Sequence, residues 1–218
     1  MNSTDWHHKV DRIIYINLDH RTDRSDMVMS EMKRLSFPEE KVIRFSALKG
    51  PGLPMVGTCL SHGAVLKMAY DMGLNNVLIF EDDCRFIEDV DQINLTMNTF
   101  FNDIKDWDAL HLICSNKIHQ KINHPLFNIC VSSANAVAYL VSRKIMMPLS
   151  DTMYWGGDML HKTGEHWHYQ NDVVWDKFMG YHGKWYSMNH ALCYQQPSYS
   201  DVSKTFMDYS HGNPMHLV

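Results

Sequence analysis

Three carboxylates stand in a row at Glu81, Asp82 and Asp83, closing the apolar run Val77-Leu78-Ile79-Phe80. Like charges this close repel one another, so the cluster is either solvated at a strand end or neutralised by a cation. In extended backbone residues i and i+2 share a side, so Glu81 and Asp83 project together while Asp82 points elsewhere. Two carboxylates on one side suit a hard cation such as Mg²⁺ or Mn²⁺, which keeps open positions for the phosphates of a ligand.

A second polar cluster, Asn17-Leu18-Asp19-His20-Arg21-Thr22-Asp23-Arg24, also follows an apolar run. It reads as a turn whose aspartates cap the next helix, or as a ligand loop. In the ligand reading Asn17 and Asp19 hydrogen-bond a ribose or base, and Arg21 and Arg24 lie near a diphosphate, which suits a guanidinium fork. Neither glycine fingerprint for phosphate, G-x-G-x-x-G or G-x-x-x-x-G-K-[ST], is present, which removes the main support for hydride transfer on a dinucleotide fold and for P-loop phosphoryl transfer. The stretch Gly57-Thr58-Cys59-Leu60-Ser61-His62 places a serine beside a histidine without a G-x-S-x-G elbow, and capping of a helix by Ser61 or Thr58 is the local expectation. The segment 161–176 carries His161, His166 and His168 with Glu165, Asp172 and Asp176. It lacks the H-E-x-x-H spacing of a zinc site, and its carboxylates remain candidate bases.

The elements that must position these groups follow from pattern. Arg12 to Leu18 is β-branched and aromatic-rich and predicts a buried strand. A helix is expected from about Ser25 to Leu35 and a short strand over 41–45. A helix leading out of the Gly57–Gly63 stretch should end at Gly73, with a strand over 77–80 next. Further strands are expected at 109–114 and 136–141, with a short helix from Ser142 ending near Pro148. Alternation of this kind predicts an α/β fold with a mostly parallel central sheet flanked by helices, over one domain spanning 1–218. In such sheets ligands bind beyond the carboxyl ends of the strands, where both polar clusters fall.

Composition fits a globular α/β chain: 45% of the 218 residues are hydrophobic and 21% charged. The net charge is −5, with no basic stripe interleaved with aromatics, which argues against nucleic acid as partner. The five cysteines are odd in number and have no C-x-x-C pair, so reduced thiols are expected. The polar start lacks the features of a secretory signal and no run reaches the length of a membrane span, so a cytoplasmic protein with no transmembrane segment is expected, in a bacterium or a virus-infected host cell.

These stretches together resemble glycosyltransferase family 25, the family of bacterial lipooligosaccharide glycosyltransferases and procollagen galactosyltransferases. The matching segments are IIYINLDHRTDR (13–24), VIRFSALKG (42–50), GTCLSHGAVLKMAYDMG (57–73), VLIFEDDCRF (77–86), ANAVAYLVSR (134–143) and CYQQPSYSDV (193–202), in the family's order over nearly the whole chain. The resemblance implies a GT-A type fold, a UDP-sugar donor carrying a hexose, galactose or glucose, and Mn²⁺ or Mg²⁺ held by an acidic motif at the EDD position. Asp83 is then the most direct metal ligand and Glu81 the next, with Asp82 on the donor side. Asn17, Asp19, Arg21, Arg24, Ser61, His62, Ser200 and Asp201 are the other expected donor-site residues, and His211 is a candidate late metal ligand. Inversion at the anomeric carbon calls for a carboxylate base, Asp172 first and Asp176 second. The acceptor is a hydroxyl of a glycan or protein, and Trp167, Trp175 or Trp185 could stack on a sugar ring. Two rival readings stay open: an inactive member that binds nucleotide or glycan, and a metal-dependent nucleotidyltransferase. The oligomeric state is left open.

Overall fold

The computed structural model describes residues 6–113, 117–133, 135–180, 182–202 and 204–208. In chain order the elements are α1 (Trp6–Lys9), β1 (Arg12–Asn17), α2 (Thr22–Arg34), β2 (Val42–Ser46), α3 (Pro54–Asp71), β3 (Asn76–Glu81), β4 (Cys84–Phe86), α4 (Val90–Asp103) and β5 (Ala109–His111). They continue as β6 (Lys117–Lys121), β7 (Phe127–Ser133), β8 (Ala138–Ser142), α5 (Arg143–Thr163), α6 (His166–Tyr169), α7 (Asn171–Met179), β9 (Trp185–Met188), β10 (Cys193–Gln195), β11 (Ser198–Ser200) and β12 (Thr205–Met207).

The central sheet has eight strands in the order β2-β1-β3-β8-β5-β9-β7-β6. Strands β2, β1, β3, β5, β9 and β6 run one way and β8 and β7 the other, so the sheet is mostly parallel in direction, with β8 inserted antiparallel between β3 and β5. Alternation along the inner strands divides the core in two. Ile13, Tyr15, Leu78 and Phe80 enter one cluster, with Val28 and Met32 of α2 and Ile93, Met97 and Phe100 of α4. Ile14, Ile16, Val77 and Ile79 enter the other, with Val65 and Leu66 of α3, Met146 and Met153 of α5 and Trp175 of α7. Coverage of both faces explains why these strands read as unbroken apolar runs.

Two local expectations are corrected. The helix predicted to end near Pro148 runs on to Thr163. Its buried stripe, Ile145, Met146, Leu149, Met153, Gly156 and Leu160, packs toward α3 and α7 and outweighs the roughly 3 kcal/mol that an interior proline costs. Gly164, at φ 72°, then ends it in the left-handed conformation. The second correction is that α3 starts at Pro54, not after Gly57, so neither Thr58 nor Ser61 caps it. Ser61 sits mid-helix, where its hydroxyl donates to the Gly57 carbonyl (2.7 Å) and accepts from the Leu48 amide (2.8 Å). Gly57 is needed there, because a Cβ would lie 2.4 Å from the Leu48 carbonyl oxygen. The G-x-x-x-S spacing thus docks the 48–50 loop on α3. Among the described residues no helix is long and apolar enough to cross a membrane.

Candidate functional site

The carboxyl ends of β1 and β3 are neighbours in register, Ile16 lying opposite Glu81. Asn17 therefore sits beside the acidic triplet. Its amide nitrogen donates to Asp82 Oδ2 (2.7 Å) and to the Arg21 carbonyl (3.0 Å). Arg24, buried in the first turn of α2, donates to Asp82 Oδ1 at 2.6 Å and lies 3.3 Å from Asp83 Oδ2. Its other Nη donates to the Ser198 hydroxyl (2.6 Å) and the Tyr199 carbonyl (3.0 Å). Asp82 is thus turned away into a buried ion pair. Arg24 is a clamp that joins the triplet to β11 through both of its Nη groups, while its Nε is buried without a partner.

Asp83 differs from Asp82 in what its oxygens meet. Oδ2 accepts from Gln195 Nε2 at 3.3 Å, but Oδ1 is buried with no hydrogen-bond partner. Burial, then the neighbouring Glu81 charge, pushes its carboxyl up to about 7. Glu81 keeps 24% of its side chain exposed and meets His62, whose Nε2 lies 3.3 Å from Oε1. The carboxylate accepts, so Nε2–H donates to it, and Nδ1 shares a hydrogen bond of 2.9 Å with the Tyr139 hydroxyl. His62 itself is fully buried. It acts on Glu81 from below the site, and its neighbour Ser61 is occupied with the loop described above.

Asp172 opens α7 and reaches the same place from the other side. Its Oδ1 accepts from the Ala136 amide (3.1 Å), and the carbonyl of the next residue, Val137, accepts from the Glu81 amide (2.9 Å). Burial first, and Glu81 second, push the Asp172 carboxyl up to about 7. Asp176, one turn on, is tied by Oδ1 to the Ser133 amide (2.8 Å) at the end of β7.

The loop after β1 is fastened from two directions. Asp19 Oδ1 accepts from Arg44 Nη2 (2.7 Å) and from Ser46 (2.8 Å), and the Arg44 bond foremost holds its carboxyl below the usual range. Arg21 pairs with Asp23 and, through Nη1, with Asp201 Oδ2 at 2.9 Å, and His20 Nε2 lies 3.3 Å from the other oxygen, Asp201 Oδ1. The late Ser198–Asp201 segment therefore closes over the first polar cluster. Ser200 accepts from the Val202 amide (3.3 Å) in the β11–β12 turn. His211 lies outside the described residues. Trp175 and Trp185 are core residues, packed on each other and on His111, and have no face free for a sugar. Trp167 is 58% exposed on α6. Arg44, Tyr139, Gln195 and Ser198 were not singled out from sequence. Arg44 could have been found, since its spacing from Phe45 puts it on the edge strand pointing back at Asn17.

The donor set fits a divalent cation. A buried carboxylate oxygen without a partner, beside a glutamate about a quarter exposed, is a place where positive charge would relieve both like-charge repulsion and desolvation. Among the described residues no group of three or more His, Cys, Asp or Glu side chains is gathered to enclose a metal. Glu81 and Asp83 would supply two oxygens and leave the remaining positions open.

No protein-family model matches the sequence, and no curated protein does. Solved structures similar to it include the glycosyltransferase GlyE of Streptococcus pneumoniae TIGR4, at TM-score 0.48 and 10% identity over 83% of this chain and 45% of that one. A mannose-1-phosphate geranyltransferase from Thermus thermophilus is similar at TM-score 0.47 and 10% identity, over 83% of this chain and 73% of that one. A glycosyltransferase involved in glycosylation of the major capsid of PBCV-1 is similar at TM-score 0.42 and 9% identity, over 70% of this chain and 66% of that one.

Proposed function

We propose that this chain is a GT-A type glycosyltransferase of family 25 that moves a hexose, galactose or glucose, from a UDP-sugar to a hydroxyl of a glycan or protein. The observation that carries the reading is the Glu81–Asp83 pair at the carboxyl end of β3, with one buried oxygen left unpaired. Glu81 and Asp83 would hold the cation, Mn²⁺ or Mg²⁺, which supplies the positive charge that stabilises a departing diphosphate. Asp19 would serve the ribose or base side, whereas the buried Asn17 amide is engaged by Asp82, the Arg21 carbonyl and Arg44, and the Arg21–Asp201 pair flanks that side.

The base is Asp172. A carboxyl near 7 is half ionised at neutral pH, which suits it to take a proton from the acceptor hydroxyl as that oxygen attacks the anomeric carbon. Attack from the face opposite the diphosphate gives inversion. Asp176 serves the site by holding Ser133, and its carboxylate is engaged there.

The test is release of UDP from a panel of nucleotide sugars with Mn²⁺ present and with chelator added. Metal-dependent UDP release that disappears in Asp83→Ala supports the reading. Full turnover in Asp83→Ala would overturn the site assignment. Release of pyrophosphate would indicate nucleotidyl transfer, and tight UDP binding without turnover on any donor would indicate a binding protein.

A further inference from the structure

Beyond Arg24, the same stripe of α2 carries Met27, Ser30 and Glu31, which line an open cavity of about 250 Å³. Its far wall is Arg85 and Phe86 of β4 with Tyr194 of β10 and the adjoining Gln196. Arg85 is 7% exposed. Its Nη1 donates to the carbonyls of Asp82 (3.2 Å) and Cys84 (2.6 Å), while Nη2 is buried with no partner. Gln196 Oε1 is also buried and without a partner. The residues lining the cavity therefore include an unused donor, Arg85 Nη2, and an unused acceptor, Gln196 Oε1, each buried and costly to leave unsatisfied.

The chemistry of the walls narrows the ligand. A hydroxyl both donates and accepts, so adjacent hydroxyls satisfy Arg85 and Gln196 together. An anion would satisfy Arg85 alone, and would face Glu88 and Glu31, the latter paired with Arg34 at 2.8 Å and accepting from the Phe86 amide at 3.1 Å. Burial and then the charges of Glu31 and Glu88 raise the Tyr194 phenol, which stays a neutral hydroxyl beside an apolar ring. Met27 and the Tyr194 ring, both partly exposed, offer faces for the C–H side of a pyranose. The volume is below that of a drug-sized pocket and suits one small ring.

We propose that this cavity binds one neutral sugar residue, as a glycan subsite separate from the carboxylates of β3. The inference does not depend on the transferase reading, because it requires neither cation nor nucleotide. It is tested by titrating the full chain with methyl glycosides of glucose, galactose and mannose, without metal or UDP, while following backbone amide resonances. At least one glycoside should shift Glu31, Phe86 and Gln196 saturably. Ser30→Trp, on an exposed position of α2, should block that response by filling the cavity. Gln196→Met, which removes the acceptor at similar volume, should weaken binding roughly fivefold to tenfold. The proposal is overturned if no glycoside shifts these amides, if Ser30→Trp binds as the unaltered chain does, or if inorganic phosphate produces the response instead.

Discussion

Asp83→Asn should make the metal-free protein more stable, and only in a defined pH window. The folded state raises the Asp83 carboxyl from 3.8 to about 7, burial being the main cause. Between those values the folded chain holds a proton that the unfolded chain has lost, so stability falls as pH rises through the window and the penalty is complete above it. Each pKa unit corresponds to about 1.4 kcal/mol, which sets an upper bound near 4 kcal/mol at pH 8. Relaxation and coupling to Glu81 reduce it, and about 2–4 kcal/mol is the working figure. Asparagine keeps the shape and presents an amide that needs no proton, so it escapes the penalty. For a chain of this size the gain is roughly 5–15 °C in Tm at pH 8, shrinking toward zero near pH 4. The assay is thermal or urea unfolding with chelator at both pH values. Addition of Mn²⁺ should then reverse the order, stabilising the unaltered chain and leaving Asp83→Asn unmoved. If Asp83→Asn is destabilising at pH 8, or if the difference between the two chains is the same at both pH values, the reasoning about this carboxylate is wrong.

Arg24→Met removes the partner of Asp82 and the neighbour of Asp83, leaving buried carboxylates unpaired, and should cost about 3–5 kcal/mol in urea unfolding at pH 7. A loss below about 1 kcal/mol would show that the pair is solvated. Asp172→Asn should lower turnover by roughly 10²–10⁴-fold, and in the unaltered chain turnover should rise with pH to a plateau above about 7; a flat profile through pH 6–8 would remove Asp172 as base. His7, wedged between Trp6 and Phe37 with its Nε2 unpartnered, is depressed to about 4, chiefly by burial. The folded state binds this proton less tightly than the unfolded one, so the stability it contributes is full above 6.5 and lost as pH falls toward 4. Replacement by Phe should flatten that acid limb of a Tm against pH curve, and an unchanged limb would place the titration elsewhere.

What sequence reveals here depends on whether a contact is local. The strands β1 and β3 were legible because both their faces are buried, which makes Ile13–Ile16 and Val77–Phe80 continuous apolar runs. The same property conceals direction, and nothing in Ala138–Val141 marks β8 as antiparallel. The division of the triplet by period two assumed extended backbone, but β3 ends at Glu81 and Asp82 and Asp83 stand in the turn that follows, where Asp82 meets Arg24. Its partners could not be read, since Asn17 and Arg24 come from another strand and another helix. His62 shows the limit clearly. Beside Ser61 it suggested a local pair, whereas α3 turns Ser61 toward the 48–50 loop and His62 toward Glu81 on the sheet. Neighbours one residue apart on a helix diverge by about 100°, so adjacency in sequence separated these two in function.

That divergence bears on how the site is held. Glu81 receives His62 from α3 and shares its surroundings with Asp172 from α7, while Asp82 receives Asn17 from β1 and Arg24 from α2. Asp83 meets Gln195 and Arg24 through one oxygen, and its other oxygen is unpartnered. Two members of the triplet are therefore fixed by elements on opposite faces of the sheet, and the third is left with an oxygen open. A solvated strand end would leave all three in water; a purely structural ion pair would satisfy all three. Under the proposed function a cation would complete the set at Asp83 Oδ1, the one oxygen of Asp82 and Asp83 that is buried without a partner.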